Sequence, residues 1–121
     1  MTYRVEPNKF HASGVEDDGY RFASKAEHRR YQELRLLERA GEIEDLQVHP
    51  FWFLLVPVLG TPRSRVVVGR YTADFKYTRL PAEEEVVEDV KGGAATRTEA
   101  YRLRKKMIEA TYGIKIVEVE A

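Results

Sequence analysis

The sequence predicts a mixed α+β fold, a central mixed β-sheet flanked by two helices. Three observations predict it. Residues 24–40 and 98–112 repeat apolar side chains at helical spacing, and each run is stopped by a glycine, Gly41 and Gly113. Residues 66–68, 71–77 and 86–91 are rich in β-branched and aromatic residues, and 114–119 alternates apolar with polar. The order helix, several antiparallel strands, helix, strand requires a sheet with helices packed on it. A chain of 121 residues suits one domain, here an N-terminal arm over 1–21 and a core over 22–121.

Residues 1–20 are polar and aperiodic, with Gly14 and Asp17-Asp18-Gly19 as turn signals. They predict a short hairpin or a loose arm, whose Lys9 and His11 could touch a ligand or a partner subunit. Ser24 is a natural N-cap for the first helix, with Glu27 at capping-box spacing. Tyr31, Leu34 and Leu37 mark the buried stripe, and Glu27 lies on the same stripe one turn earlier. Glu27 therefore either completes the capping box or aims an acid at the sheet.

Residues 44–58 read as extended structure interrupted by Pro50 and Pro57. The aromatics Phe51, Trp52 and Phe53 are expected in the core rather than on a base-stacking platform, with 52–55 a secondary candidate for a subunit interface. A basic turn follows over 60–65, and Gly69 marks either a bulge or a bend within one strand. A turn about Pro81-Ala82 joins the next two strands, and Gly92-Gly93 ends the second. In the second helix Ala100, Leu103, Met107 and Ala110 are the expected apolar face.

Composition excludes several classes. The absence of cysteine rules out disulfides and thiolate metal sites. The longest apolar run, 51–59, contains Pro57 and is far shorter than the roughly 18–20 residues that span a bilayer. With no apolar leader at the N-terminus, the expectation is a soluble intracellular protein without a membrane partner. Twenty basic and 20 acidic residues cancel, unlike a generic basic nucleic-acid binder. The charges are nevertheless segregated. Arg21, Lys25, Arg29 and Arg30 cluster at the first helix, Arg63, Arg65 and Arg70 flank a loop, and Arg97, Arg102, Arg104, Lys105 and Lys106 crowd the second helix. Such clusters are either a phosphate-binding face or simply solvated helix surface.

Two acids interrupt the central strands. Folding 71–77 against 86–91 about Pro81-Ala82 places Asp74 opposite Asp89 on one face, with Lys91 two residues further along it. Facing carboxylates repel across a sheet, so the pair is suited to holding a cation. Their hard oxygens fit magnesium or manganese, the backbone carbonyl of Val90 is a further candidate ligand, and Glu27 could complete the shell directly or through water. Lys91 could hold an attacking water or neutralise charge on a phosphate. The plainer alternative is a surface hairpin with an Asp74–Lys91 ion pair. His11, His28 and His49 show no metal-ligand spacing, although His28 adjoins Glu27. Gly92-Gly93 is too short for a phosphate loop.

These residues, in the order helix Glu, strand Asp, strand acid-x-Lys, helix, strand, resemble the PD-(D/E)XK nuclease superfamily over about 22–119. More narrowly, Phe22-Ala23-Ser24-Lys25-Ala26-Glu27, Tyr71-Thr72-Ala73-Asp74-Phe75, Val87-Glu88-Asp89-Val90-Lys91-Gly92 and Tyr112-Gly113-Ile114 are similar to small phage endonucleases akin to archaeal Holliday junction resolvases. The resemblance implies a restriction-endonuclease-like core. It makes Glu27, Asp74 and Asp89 metal-binding acids and Lys91 the catalytic lysine. Asp89 stands where many members have Glu, and Glu88 points to the opposite face. It further implies a magnesium-dependent endodeoxyribonuclease, with manganese able to substitute, acting as a homodimer on branched DNA in the host cytoplasm. Lys25, Arg29, Arg30, Arg102 and Lys105 are then the expected phosphate contacts. A nicking or restriction-like nuclease and a non-catalytic DNA-binding module remain open alternatives.

Overall fold

The computed structural model describes residues 14–121, so Lys9 and His11 lie outside the described residues. The chain begins there with a hairpin of β1 (Val15–Asp17) and β2 (Tyr20–Phe22). Asp18 and Gly19 both take positive φ at its two-residue turn, the conformation such tight hairpins require. The hairpin is tied to the next element by a Tyr31 hydroxyl donating to Asp18 (2.7 Å) and by a His28–Asp17 contact (2.9 Å). Phe22 at its end is fully buried.

Helix α1 (Lys25–Arg39) starts where the Ser24 hydroxyl accepts the Glu27 N–H at 3.1 Å. It ends in a Schellman motif, with Gly41 N–H donating to the Glu38 carbonyl and Glu42 N–H to that of Leu37. Its buried face is Glu27, Tyr31 and Leu34. Strands β3 (Ile43–Val48), β4 (Phe51–Val58), β5 (Thr61–Thr72), β6 (Phe75–Arg79) and β7 (Glu84–Lys91) follow. A 3-10 turn (Ala94–Thr96) leads to α2 (Glu99–Tyr112) and β8 (Ile116–Glu120).

The main sheet has the order β3-β6-β7-β8. Its first three strands are antiparallel, and β8 joins β7 in parallel after the α2 crossover. The expected mixed sheet flanked by helices is therefore the architecture of the described chain. The β6–β7 register runs from Phe75 opposite Glu88 to Arg79 opposite Glu84, as the turn about Pro81-Ala82 implies. Both faces of the sheet are covered. One core holds Phe22, Tyr31, Leu34, Ile43, Phe75, Tyr77 and Val86 against α1, and the other holds Leu54, Tyr71, Ala73, Val87, Ile108 and Ile116 against α2. Adjacent Val86 and Val87 serve opposite cores, so β7 shows no apolar-polar alternation.

Three expectations are corrected. Residues 71–77 are not one strand: the chain breaks at Ala73-Asp74, and β5 instead pairs with β4 in a separate two-stranded sheet. That sheet carries a bulge at Val68, because Leu54 opposes Gly69 while Leu55 opposes Val67. A Cβ on Gly69 would stand 3.3 Å from Leu54 Cδ1, so a bare backbone suits the packing there. Second, Phe51 and Phe53 are not core. They are 49% and 46% exposed on the outer face of this hairpin, because only its inner face, through Leu54 and Tyr71, meets α2. Third, α2 buries Ile108 with Tyr101 and Met107 partly buried, whereas Leu103 is 59% exposed and Ala100 and Ala110 are exposed. Reading only aliphatic positions shifted the stripe away from the Tyr101–Ile108 line. No helix among the described residues is long and apolar enough to cross a membrane.

Candidate metal centre

The two crossovers between the main sheet and the β4–β5 hairpin lie side by side. Between β3 and β4 the chain passes through His49-Pro50, and between β5 and β6 it returns through Ala73-Asp74. Backbone bonds lock the two passages together: His49 N–H donates to the Asp74 carbonyl and Ala73 N–H to that of Pro50, each at 2.9 Å. Helix α1 brings Glu27 against them from its first turn. One ligand atom each from Glu27, His49 and Asp74 lies within 4.8 Å of the others. His49 Nε2 meets Glu27 Oε1 at 2.7 Å, and Glu27 Oε2 accepts the Ala23 N–H at 3.3 Å.

Asp74 connects this cluster to β7. Its N–H donates to the Glu88 carbonyl (3.1 Å) and approaches Asp89 Oδ1 at 3.2 Å, and its Oδ2 accepts the Val90 N–H at 2.6 Å. The N–H and C=O of one strand residue point to the same side, so the carbonyl of Val90 also opens toward Asp74, beyond the end of β6. Asp89 is 3% exposed, and its Oδ2 is buried with no hydrogen-bond partner among the described residues. Lys91 shares the Asp89 face, and its Nζ sits 3.7 Å from the centre of the Tyr101 ring, a cation–π contact. The Tyr101 hydroxyl donates to Glu118 at 2.9 Å, which fixes the ring under the lysine.

Asp74 stands opposite Asp89 just past the end of the β6–β7 ladder, and the Lys91 charge acts on both carboxyls. The ladder ends at Phe75, so alternation does not fix the Asp74 side chain. It turns along the strand edge toward Val90 and Glu27. Glu27, His49 and Asp74 form one cluster, and Asp89 with Lys91 lies beside it, joined through the Asp74 backbone. Glu88 faces the other way, as alternation requires, and is 2% exposed.

Arg30 is corrected as a phosphate contact. Its Nε and Nη2 donate to the two Glu88 carboxylate oxygens at 2.8 and 2.7 Å, and its Nη1 donates to Glu33 at 2.9 Å. The Tyr77 hydroxyl also binds Glu88. A buried carboxylate needs a paired cation, and that requirement holds Arg30 inward. Lys105 is half-buried beside Glu118 at 3.8 Å, and Arg97 binds Glu118 and Glu120. Lys25, Arg29 and Arg102 remain exposed.

His49 was missed because no local spacing marks it. The β3–β6 register, Val48 opposite Phe75, puts the next residue, His49, level with Asp74. That relation becomes legible only once β3 is known to pair with β6.

The electrostatics fit a cation. Burial pushes both Asp74 and Asp89 up to about 6 from the ordinary 3.8, and the neighbouring Glu27 raises Asp74 further, while Lys91 opposes the rise in both. Two disfavoured carboxylates, a buried oxygen unpartnered among the described residues and a nearby imidazole form a donor set that a divalent ion would satisfy. The oxygens suit magnesium, and the nitrogen tilts the set toward manganese.

No curated protein and no solved structure matches the chain. The model of the family described as protein of unknown function (DUF1064) matches residues 7–119, nearly the whole chain, and the chain belongs to that family.

Proposed function

We propose that this protein is a divalent-metal-dependent phosphodiester hydrolase that cleaves branched DNA, a phage-type Holliday junction resolvase. One observation carries the reading: the Glu27–His49–Asp74 cluster abuts a buried Asp89 oxygen that has no partner among the described residues, and Lys91 lies on the same face as Asp89. A structural hairpin has no need of this combination, since the buried acids cost stability without a cation.

Asp74, Asp89 and Glu27, with the Val90 carbonyl, are the groups that would hold Mg2+ or Mn2+, and His49 stands beside them. When bound, such an ion makes water a better nucleophile and stabilises charge on the phosphate. The protein's own residues do the rest. His49 holds the Glu27 carboxylate in one orientation through its 2.7 Å contact. Lys91, kept in place by the Tyr101 ring, offers a positive charge to a phosphate oxygen as the P–O bond breaks. Exposed Lys25, Arg29 and Arg102 contribute salt-sensitive phosphate contacts without reading sequence. Paired symmetric nicks need two such sites, which a two-fold homodimer would supply.

The test is cleavage of a labelled four-way junction beside linear duplex of the same sequence, with magnesium or EDTA, by the native protein and Asp74→Asn. Paired nicks confined to the junction, lost in EDTA and in the variant, are the expected result. Equal cutting of both substrates would replace the resolvase with a nicking or restriction-like nuclease. Binding without cutting would leave a DNA-binding module.

A further inference from the structure

The outer face of the β4–β5 hairpin has no role in holding a metal, yet its composition is unusual for this chain. Over residues 51–72 there are three arginines, Arg63, Arg65 and Arg70, and not one of the chain's 20 acids. Phe51 and Phe53, two residues apart on one strand, project from the same outer face and are about half exposed. Their rings meet edge to face with centroids 5.5 Å apart, and the Arg70 guanidinium lies 5.1 Å from the Phe51 ring centre. The inner face is anchored: Leu54 and Tyr71 pack into the α2 core, and the Tyr112 hydroxyl donates to the Phe53 carbonyl at 2.8 Å. The aromatics therefore stand on a fixed support and keep their rings toward solvent.

Position adds to composition. Phe51 is two residues from His49, and its ladder partner Thr72 is two residues from Asp74. The face begins where the metal centre ends. An open groove of about 480 Å³ runs beside it, lined in part by Gln47, His49, Phe51 and Lys76.

We infer that Phe51 and Phe53, with Arg70, form a stacking platform for unpaired nucleic-acid bases, which seats the single-stranded part of a substrate next to the metal centre. The chemistry is that of single-strand binding surfaces: every base has a π-face that an exposed aromatic can take, and interleaved arginines follow the phosphates. Charge selects this occupant over a second copy of the chain. Two such faces packed on each other would bring Arg65 and Arg70 of both copies together with no acid from the hairpin to compensate. The inference rests on the reading that DNA is the substrate, and it adds which part of the DNA is held and by what.

The test uses a single strand of about 12 nucleotides carrying 2-aminopurine, a length suited to one small binding surface. The native protein in EDTA is titrated into it, so that binding is read without cleavage. Stacking is expected to quench the 2-aminopurine fluorescence. Phe51→Ala is expected to lose the quench and to weaken binding roughly 5- to 100-fold, as removal of one base-stacking aromatic does. Phe51→Trp is expected to retain both, and fully paired duplex is expected to bind both variants alike. Phe53→Ala gives an independent reading should Phe51→Ala unfold, and thermal unfolding of each variant is recorded alongside. Undiminished quenching in both alanine variants would overturn the inference. So would a native dimer that Phe51→Ala converts to monomer while single-strand affinity stays constant, because the face would then be a subunit interface. Quenching without any metal-dependent cleavage would sink the hydrolase and keep the platform; cleavage without quenching would do the reverse.

Discussion

Replacing Asp89 by asparagine is expected to stabilise the metal-free protein while removing its response to metal. Asp89 is 3% exposed, its Oδ2 has no partner among the described residues, and burial raises its pKa from 3.8 to about 6. A carboxyl whose folded pKa exceeds its unfolded value contributes stability that is complete below about 3.8 and is lost as pH rises through about 6. At pH 7 the ionised group therefore costs about 3 kcal/mol, from two pH units at 1.36 kcal/mol each. Asparagine removes that charge and keeps an oxygen for the Asp74 N–H, but its amide hydrogens lack an acceptor, which costs about 1 kcal/mol. The net gain is about 2 kcal/mol, or roughly 5–10 °C in Tm for a domain of this size. Magnesium at about 100 times its Kd should add about 2.7 kcal/mol to the native protein and little to the variant. Thermal unfolding at pH 5 and pH 7, with EDTA and with magnesium, measures all of this. The native protein in EDTA should be less stable at pH 7 than at pH 5 through these groups, and the variant should lose much of that dependence. A variant that melts lower than the native protein in EDTA at pH 7, or one that magnesium stabilises equally, refutes the reasoning.

Other consequences follow from the same geometry. Arg30→Met leaves Glu88 buried and unpaired, so urea unfolding should show a loss of about 3–5 kcal/mol, and a loss below about 1 kcal/mol would contradict the internal role of Arg30. His49→Ala should weaken manganese binding about 10- to 100-fold by calorimetry, and unchanged affinity would remove His49 from the centre. Lys91→Met should abolish cleavage while metal binding persists, which a lysine serving only to pair with Asp74 would not do. Arg29→Ala should lower the salt slope of junction binding by about one, whereas no change in slope would place the phosphate path elsewhere.

Much of the architecture was legible because local signals agreed with the fold. Ser24 and Gly41 bracket α1, Gly113 stops α2 in the left-handed conformation, and Asp18-Gly19 makes a tight hairpin. The pairing of β6 with β7 followed from one turn and one alternation. What stayed hidden depended on long-range pairing. The break at Ala73-Asp74 is invisible locally, because Tyr71 to Phe75 is good strand sequence on both sides of it. The two halves diverge because β5 finds β4 as a partner while β6 finds β3 and β7. That divergence frees the Asp74 side chain from alternation and brings His49 level with it. Arg30 looked like a surface charge because its partner Glu88 is 58 residues away. Phe51 and Phe53 looked like core because the sequence does not say that a two-stranded sheet has only one covered face.

The most direct test of the metal centre is anomalous diffraction from crystals grown or soaked with manganese at neutral pH. The expected result is a peak among the carboxylates of Glu27, Asp74 and Asp89, with His49 beside it, absent from crystals of Asp74→Asn. No peak there in well-diffracting native crystals, or manganese bound only at unrelated surface acids, would contradict the assignment of these residues as a metal site.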